Sequence, residues 1–244
     1  MHMPGQVPTW LLAVIAAAAG VMVGSFLAVR ADLMRADLMR ADLMRPDRMR
    51  AGRARGGRAR GGQRLAVELG TGACFAVMAL RFGPSPVLPA FLLLAALAPV
   101  LTLTDLRWRR LPDPLTLPAY PAAAALLAAG ALTIPGGTRH FLSALAGLAA
   151  AWLFFVLLAG IHPAGLGGGD VKLSGVLGLY LGWLGASAVA AGLLGAFVLA
   201  ALAGLGLIAA RRATRKTQIP FGPFMLASAI AVIAASGLVP ALAR

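Results

Sequence analysis

Long apolar runs separated by short polar segments make up almost the whole chain. A run of about 18 or more apolar residues is long enough to cross the hydrocarbon core of a bilayer as an α-helix. Eight runs are candidates for such spans: residues 8–29, 64–80, 86–104, 114–132, 141–160, 170–184, 186–210 and 222–241. The sixth run is short and rich in glycine, so its boundary with the seventh is the least distinct. The pattern predicts an all-α, polytopic membrane protein with about eight transmembrane helices.

The composition agrees with a membrane protein and argues against a nucleic-acid partner. Hydrophobic residues make up 60% of the 244 and charged residues only 12%, whereas about a quarter of a typical soluble domain is charged. The net charge of +14 is of the kind that suits nucleic acid, but the basic residues lie in the polar segments between apolar runs. The N-terminal run lacks a basic region before it, so we interpret it as a first transmembrane helix rather than a signal peptide.

The distribution of Lys and Arg predicts the orientation of the chain. With the N-terminus outside, the cytoplasmic segments are 30–64, 105–113, 161–172 and 211–221. These four segments hold 19 of the 22 Lys and Arg residues, and only Arg81, Arg139 and Arg244 fall elsewhere. Because cytoplasmic loops carry an excess of positive residues, we expect the N-terminus to lie outside.

The segment 30–64 differs from the rest of the chain. It repeats ADLMR three times from Ala31 to Arg45 and continues as an Arg/Gly-rich sequence. A five-residue period makes no continuous apolar stripe on a helix, and the Arg/Gly part is predicted to be disordered. The segment is either an anchor on anionic lipid head groups or a solvated loop that fixes the topology. We therefore divide the chain into a first transmembrane helix (1–29), this low-complexity cytoplasmic loop (30–64) and a membrane domain (65–244).

Two acidic residues at the cytoplasmic ends of apolar runs are candidates for chemistry. Asp105 ends the third run, and Asp170 opens the sixth run after a glycine-rich segment. A carboxylate at such a position costs free energy unless it is paired with a cation or hydrated, so a carboxylate found there is a candidate for a functional role. Two carboxyl groups from different helices can meet at this depth, and close neighbours do not easily both ionise. One then keeps a proton while the other acts as a base that activates water.

Structural roles are the alternative for each acid. Asp170 is a possible N-cap of the sixth helix, with the glycines before it forming the turn. Asp113 precedes Pro114 and has the pattern of an N-cap followed by proline at the first helical position. Asp105 lies at the C-terminal end of its helix, which is electrostatically the wrong end for an anion. Capping therefore does not account for Asp105.

Four stretches of the chain, in order, resemble the type IV prepilin peptidases, a family of membrane aspartic proteases. GLGGGDVKL (165–173) resembles the GxGD signature, and TDLRWRRLPDPLTLP (104–118) resembles the segment around the first aspartate of the family. GSFLAV (24–29) and IPFGPFMLASA (219–229) resemble two further family stretches. A lone GxGD is a weak signal, but the set of four is specific.

The resemblance implies a role for particular residues. Asp105 and Asp170 would form the catalytic dyad. Gly167 and Gly169 match the glycines of GxGD, and their lack of a Cβ would let an extended substrate backbone approach Asp170. Lys172 matches the lysine of GDxK; it either holds the Asp170 carboxylate ionised or is a cytoplasmic-edge lysine.

The resemblance also implies the reaction. Asp113 lies in the matched segment and would help to shape the substrate site. The family cleaves the leader peptide of type IV prepilins or type II secretion pseudopilins after a glycine, at the cytoplasmic face of the inner membrane. The substrate presents a basic leader on that face and a hydrophobic helix in the bilayer.

One departure from the family and two alternatives stay open. Many members carry a four-cysteine zinc site between the first two spans and methylate the new N-terminus with S-adenosylmethionine. This chain has only Cys74, which excludes a Cys₄ zinc site and leaves methyl transfer open. The alternatives are another GxGD protease of the presenilin kind, whose YD and PAL motifs are missing here, and a proton- or cation-coupled transporter, which favours mid-membrane acids and an inverted repeat.

Overall fold

The structure is a bundle of α-helices. The computed structural model describes residues 8–43, 56–109, 111–161, 166–212, 214, 217 and 219–236. Within these ranges there are eight helices and no strand. They are α1 (Thr9–Leu43), α2 (Gly56–Phe82), α3 (Leu88–Trp108), α4 (Asp113–Ala131), α5 (Gly137–Ile161), α6 (Gly168–Leu184), α7 (Ala186–Ala209) and α8 (Gly222–Ala235). The all-α fold class predicted from the apolar runs is confirmed.

Six of these helices are long and apolar enough to cross a membrane: α1, α2, α3, α4, α5 and α7. The other two, α6 and α8, have 17 and 14 described residues. Large apolar side chains such as Trp152, Leu157 and Leu202 are exposed on α5 and α7, as expected of surfaces that face lipid. The chain is therefore an integral membrane protein.

Glycines allow a close contact between α5 and α6. A Cβ added to Gly147 would lie 2.6 Å from the Cα of Gly182, and Gly178 faces the same stretch of α5. Because lipid is as apolar as leucine, membrane helices associate through close packing of small residues rather than through hydrophobic burial. The glycine content of the sixth run is therefore a packing feature, and it brings the helix that carries Asp170 firmly against α5.

A single glycine separates α6 from α7. Gly185 has a φ of 121°, a conformation that is strained for other residues. The sixth run therefore ends at Leu184 and the seventh begins at Ala186, as the sequence predicts, although this boundary is the least distinct in the pattern.

The segment 30–64 contains more helix than its composition predicts. The first helix continues to Leu43, through most of the ADLMR repeats, and α2 begins at Gly56. The structure places 30–43 and 56–64 in helices, which corrects the prediction of disorder for the part of the Arg/Gly sequence in α2, while 44–55 lie outside the described residues. Ala, Leu, Met and Arg are all strong helix formers, so the repeat can extend a helix that has already begun without any apolar stripe.

Candidate active site

Asp105 lies one turn before the end of α3 and is only 5% exposed. Its Oδ2 atom accepts a hydrogen bond from the backbone N–H of Gly222 at 3.0 Å. Gly222 is the first residue of α8, so the carboxylate faces the positive end of that helix dipole. An anion at the unfavourable end of its own helix is thus placed at the favourable end of another.

The chain turns sharply after Asp105. Arg109 adopts a left-handed conformation with a φ of 50°, and its N–H donates to the carbonyl oxygen of Asp105 at 2.8 Å. This cap ends α3 at Trp108 and directs the chain towards Leu111 and the start of α4. The backbone at Asp105 is therefore held by the α3 cap while its side chain is held by α8.

Asp170 lies in the first turn of α6 but is not the N-cap. The N-cap is Gly167, and the Gly167 N–H donates to Oδ2 of Asp170 at 3.2 Å. This contact is the half of a capping box in which a side chain at the third helical position reaches back to the cap. The N-cap interpretation of Asp170 is wrong by three residues, because glycine itself favours the cap position.

The structure brings the two aspartates together. Asp105 is close enough to Asp170 for the two charges to interact, although the residues come from different helices. Asp105 is buried and Asp170 is half-buried. Two carboxyl groups that interact electrostatically do not easily both ionise, and a protonated carboxyl group working with an ionised one is the arrangement that activates water in aspartic proteases. The catalytic roles of both residues stay predictions.

Lys172 and Asp113 form an ion pair beside the dyad. The Nζ atom of Lys172 is 2.7 Å from Oδ1 of Asp113, and the two side chains are 40% and 54% exposed. Lys172 was one candidate for the group that holds Asp170 ionised. In the structure its ammonium group instead pairs with Asp113 and so links α6 to α4. Asp113 is the first residue of α4 and follows the N-cap Pro112, so the N-cap interpretation of Asp113 is also wrong.

The two glycines of the GxGD stretch have different surroundings. A Cβ on Gly169 would lie 3.2 Å from the Cβ of Leu111, so this glycine allows α6 to pack against the α3–α4 connection. Gly167 is exposed, and the nearest atom to an added Cβ is Oδ2 of Asp170 at 3.5 Å. Only Gly167 leaves open space next to the carboxylate, where a substrate backbone has room to approach.

Sequence reasoning missed Gly222. The IPFGPF stretch supports the family resemblance, but the sequence assigns no role to its glycine. The signal that could have found it is Pro223, because proline in the first turn marks a helix start whose free N–H groups attract an anion. Among the described residues, no group of three or more His, Cys, Asp or Glu side chains is placed to hold a metal ion.

Comparisons with known proteins agree with the resemblance. Residues 87–238 match the model of the Type IV leader peptidase family. The chain is 31% identical over 165 residues to a protein of Bacillus subtilis (strain 168) named prepilin leader peptidase/N-methyltransferase. It is 38% identical over 180 residues to a protein of the same name from Burkholderia pseudomallei (strain 1026b).

The matches cover only part of these relatives. Each alignment includes 68% of this chain, but 63% of the Bacillus protein and 53% of the Burkholderia protein. No solved structure matches the chain significantly. The family match covers both aspartates and Gly222, which lie within residues 87–238. The chain therefore belongs to the Type IV leader peptidase family.

Proposed function

We propose that this protein is a membrane aspartic endopeptidase that removes the leader peptide of type IV prepilins or type II secretion pseudopilins. The observation that supports this most directly is that Asp105 and Asp170, which come from different helices, are close enough for their charges to interact. A backbone N–H donates to each carboxylate, from Gly222 and Gly167 respectively. The printed name of the relatives, prepilin leader peptidase/N-methyltransferase, points to the same substrate class.

The proposed reaction uses the shared proton of the pair. The ionised carboxylate takes a proton from a water molecule, and the water oxygen attacks the carbonyl carbon of the peptide bond. The protonated carboxyl group hydrogen-bonds to the carbonyl oxygen, where negative charge develops. The C–N bond then breaks as the leaving nitrogen receives a proton, which yields a free leader peptide and a new N-terminus.

We place this site at the cytoplasmic face of the inner membrane. The support is the charge pattern, since 19 of the 22 Lys and Arg residues fall in segments that share one side of the predicted topology. The proposed hydrolysis needs no zinc, and a Cys₄ site cannot form in a chain whose single cysteine is Cys74. The Arg-rich segment 30–64 is proposed to contact anionic lipid or to remain solvated.

Replacement of each aspartate by asparagine tests the proposal. Asp105→Asn and Asp170→Asn keep the shape of the side chain but remove its acid–base function, so we expect each to lower cleavage of a co-expressed prepilin at least about 100-fold. Asp32→Asn, in the ADLMR repeat, is the matched control and should cleave like the wild type. Conversion of precursor to mature prepilin is followed by gel mobility. Wild-type cleavage by either dyad variant would contradict the assignment.

Methyl transfer is tested on the same product. The relatives' name includes N-methyltransferase, but this chain spans 63% or less of their length in the two alignments. We propose the peptidase activity for this chain and treat S-adenosylmethionine as a co-substrate only if methylation occurs. Mass spectrometry of the mature N-terminus, with and without added S-adenosylmethionine, distinguishes the two cases.

A further inference from the structure

Tyr120 forms a contact that the proposed mechanism does not use. It lies on α4, and its hydroxyl donates a hydrogen bond to the backbone carbonyl oxygen of Lys172 on α6. We propose that Tyr120 is a positioning residue that fixes Asp170 relative to Asp105. The kinetic consequence of this inference rests on the proposed function, whereas its structural consequence does not.

The Tyr120 ring fits a space that only glycine leaves on α6. A Cβ added to Gly175 would collide with the Tyr120 hydroxyl. Lys172 is two residues from Asp170 and Gly175 is five, so the phenol contacts α6 within two turns of the aspartate. Because a helix is stiff over this length, a shift of α4 against α6 at this contact also moves the Asp170 side chain.

Tyr120 is also connected, through the chain that leads into α4, to the backbone that carries Asp105. The Arg109 N–H caps α3 on the Asp105 carbonyl oxygen, and the chain then passes Leu111 into α4. Leu111 is the residue that packs against Gly169 on α6. Asp105 and Tyr120 are thus joined by a short, capped connection, and Tyr120 carries that constraint across to the helix of Asp170.

Tyr120 is a stronger constraint than the neighbouring ion pair. Both side chains of the Lys172–Asp113 pair are more than a third exposed, and such pairs contribute little because water and salt screen them. The Tyr120 side chain is half-buried and packs against the apolar core, so its hydrogen bond to the Lys172 carbonyl oxygen is less screened by water than the ion pair. Of these two polar contacts between α4 and α6, the hydrogen bond of Tyr120 is therefore the stronger.

The chain supplies a matched control for removal of this hydroxyl. Tyr180, the second of its two tyrosines, lies on α6 itself, with 1% exposure and its ring 5.4 Å from that of Phe91 on α3. Its buried hydroxyl has no hydrogen-bond partner in the described structure. Tyr180→Phe thus deletes the same atom as Tyr120→Phe without removing a hydrogen bond.

A disulfide between the two segments measures the geometry without any need for catalysis. A Cβ on Gly169 lies 3.2 Å from that of Leu111, close to the separation of about 3.5–4.5 Å found in disulfides. Leu111→Cys and Gly169→Cys are combined with Cys74→Ala in the full chain and oxidised in vesicles with copper phenanthroline. We expect Tyr120→Phe to slow closure about fivefold, the effect of losing one typical hydrogen bond, and Tyr180→Phe to leave the rate unchanged.

The kinetic arm uses the chain without added cysteines and a prepilin substrate. We expect Tyr120→Phe to lower kcat about 10- to 100-fold through misplacement of Asp170, with KM within about twofold and Tyr180→Phe close to wild type. Equal closure rates for Tyr120→Phe and the wild type would overturn the inference, as would an unchanged kcat. A wild-type protein that cleaves no prepilin refutes the proposed function alone, because the disulfide rates still decide the role of Tyr120.

A second variant covers the case in which Tyr120→Phe does not fold. Gly175→Ala adds a Cβ against the hydroxyl, so it perturbs the same contact from α6 while leaving Tyr120 in place. Slower disulfide closure in Gly175→Ala supports the inference, and wild-type closure overturns it.

Discussion

The contact between Gly222 and Asp105 gives the sharpest prediction for the site. In Gly222→Ala, the new Cβ would lie 2.7 Å from Oδ2 of Asp105, whereas an ordinary contact begins at 3.4 Å. Either the carboxylate or the start of α8 must therefore move by about 0.7 Å, and the hydrogen bond of 3.0 Å between Gly222 and Asp105 is stretched or lost. A hydrogen bond to a charged group is worth about 1.5–3 kcal/mol.

We expect Gly222→Ala to lower kcat strongly while the protein remains folded. A displacement of about 1 Å at a reacting group can lower the rate about 100-fold, so we expect kcat for prepilin cleavage to fall about 10- to 100-fold in Gly222→Ala. The assay is cleavage of a purified prepilin in detergent or vesicles, together with the melting temperature of the enzyme. The same substitution at Gly206, a residue of α7 where an added Cβ meets nothing within 4 Å, is the control.

Gly206→Ala should keep full activity and gain about 0.5–1 kcal/mol of stability, because alanine is the better helix former. The reasoning about Asp105 would be refuted if Gly222→Ala cleaved prepilin at the wild-type rate. It would equally be refuted if Gly206→Ala lost activity to the same extent, since the effect would then not depend on the contact with the carboxylate.

Two further predictions concern packing and surface charge. Gly147→Leu places a side chain where α5 meets Gly182 of α6; we expect it to lower the unfolding free energy by at least about 1–3 kcal/mol, measured by thermal unfolding in detergent, and a wild-type melting temperature would contradict the packing. Lys172→Met should lower the unfolding free energy by less than about 1 kcal/mol, because its ion pair with Asp113 is exposed. A loss that is much larger, or that high salt does not reduce, would show that Lys172 makes a stronger interaction than this pair.

The sequence alone determined the helices and the candidate acids. Long apolar runs specify helices because every backbone group in a bilayer must be satisfied within its own segment, and this property depends only on neighbouring residues. The same pattern placed Asp105 at the C-terminal end of α3 and Asp170 at the N-terminal end of α6, on the same side of the predicted topology. The ADLMR repeat is an exception. There α1 continues to Leu43 because most of the repeat's residues favour helix, although no apolar stripe predicts it.

Only the tertiary structure decided which groups hold the acids. The N–H that Asp105 accepts from lies 117 residues away, at Gly222, and the cation expected at Asp170 pairs instead with Asp113. Apolar periodicity carries no information about such pairs, because in a membrane it identifies a helix without selecting its neighbour. That choice depends on close packing, such as the approach of Gly147 to Gly182, which is a property of two helices together and therefore appears only when the chain is folded.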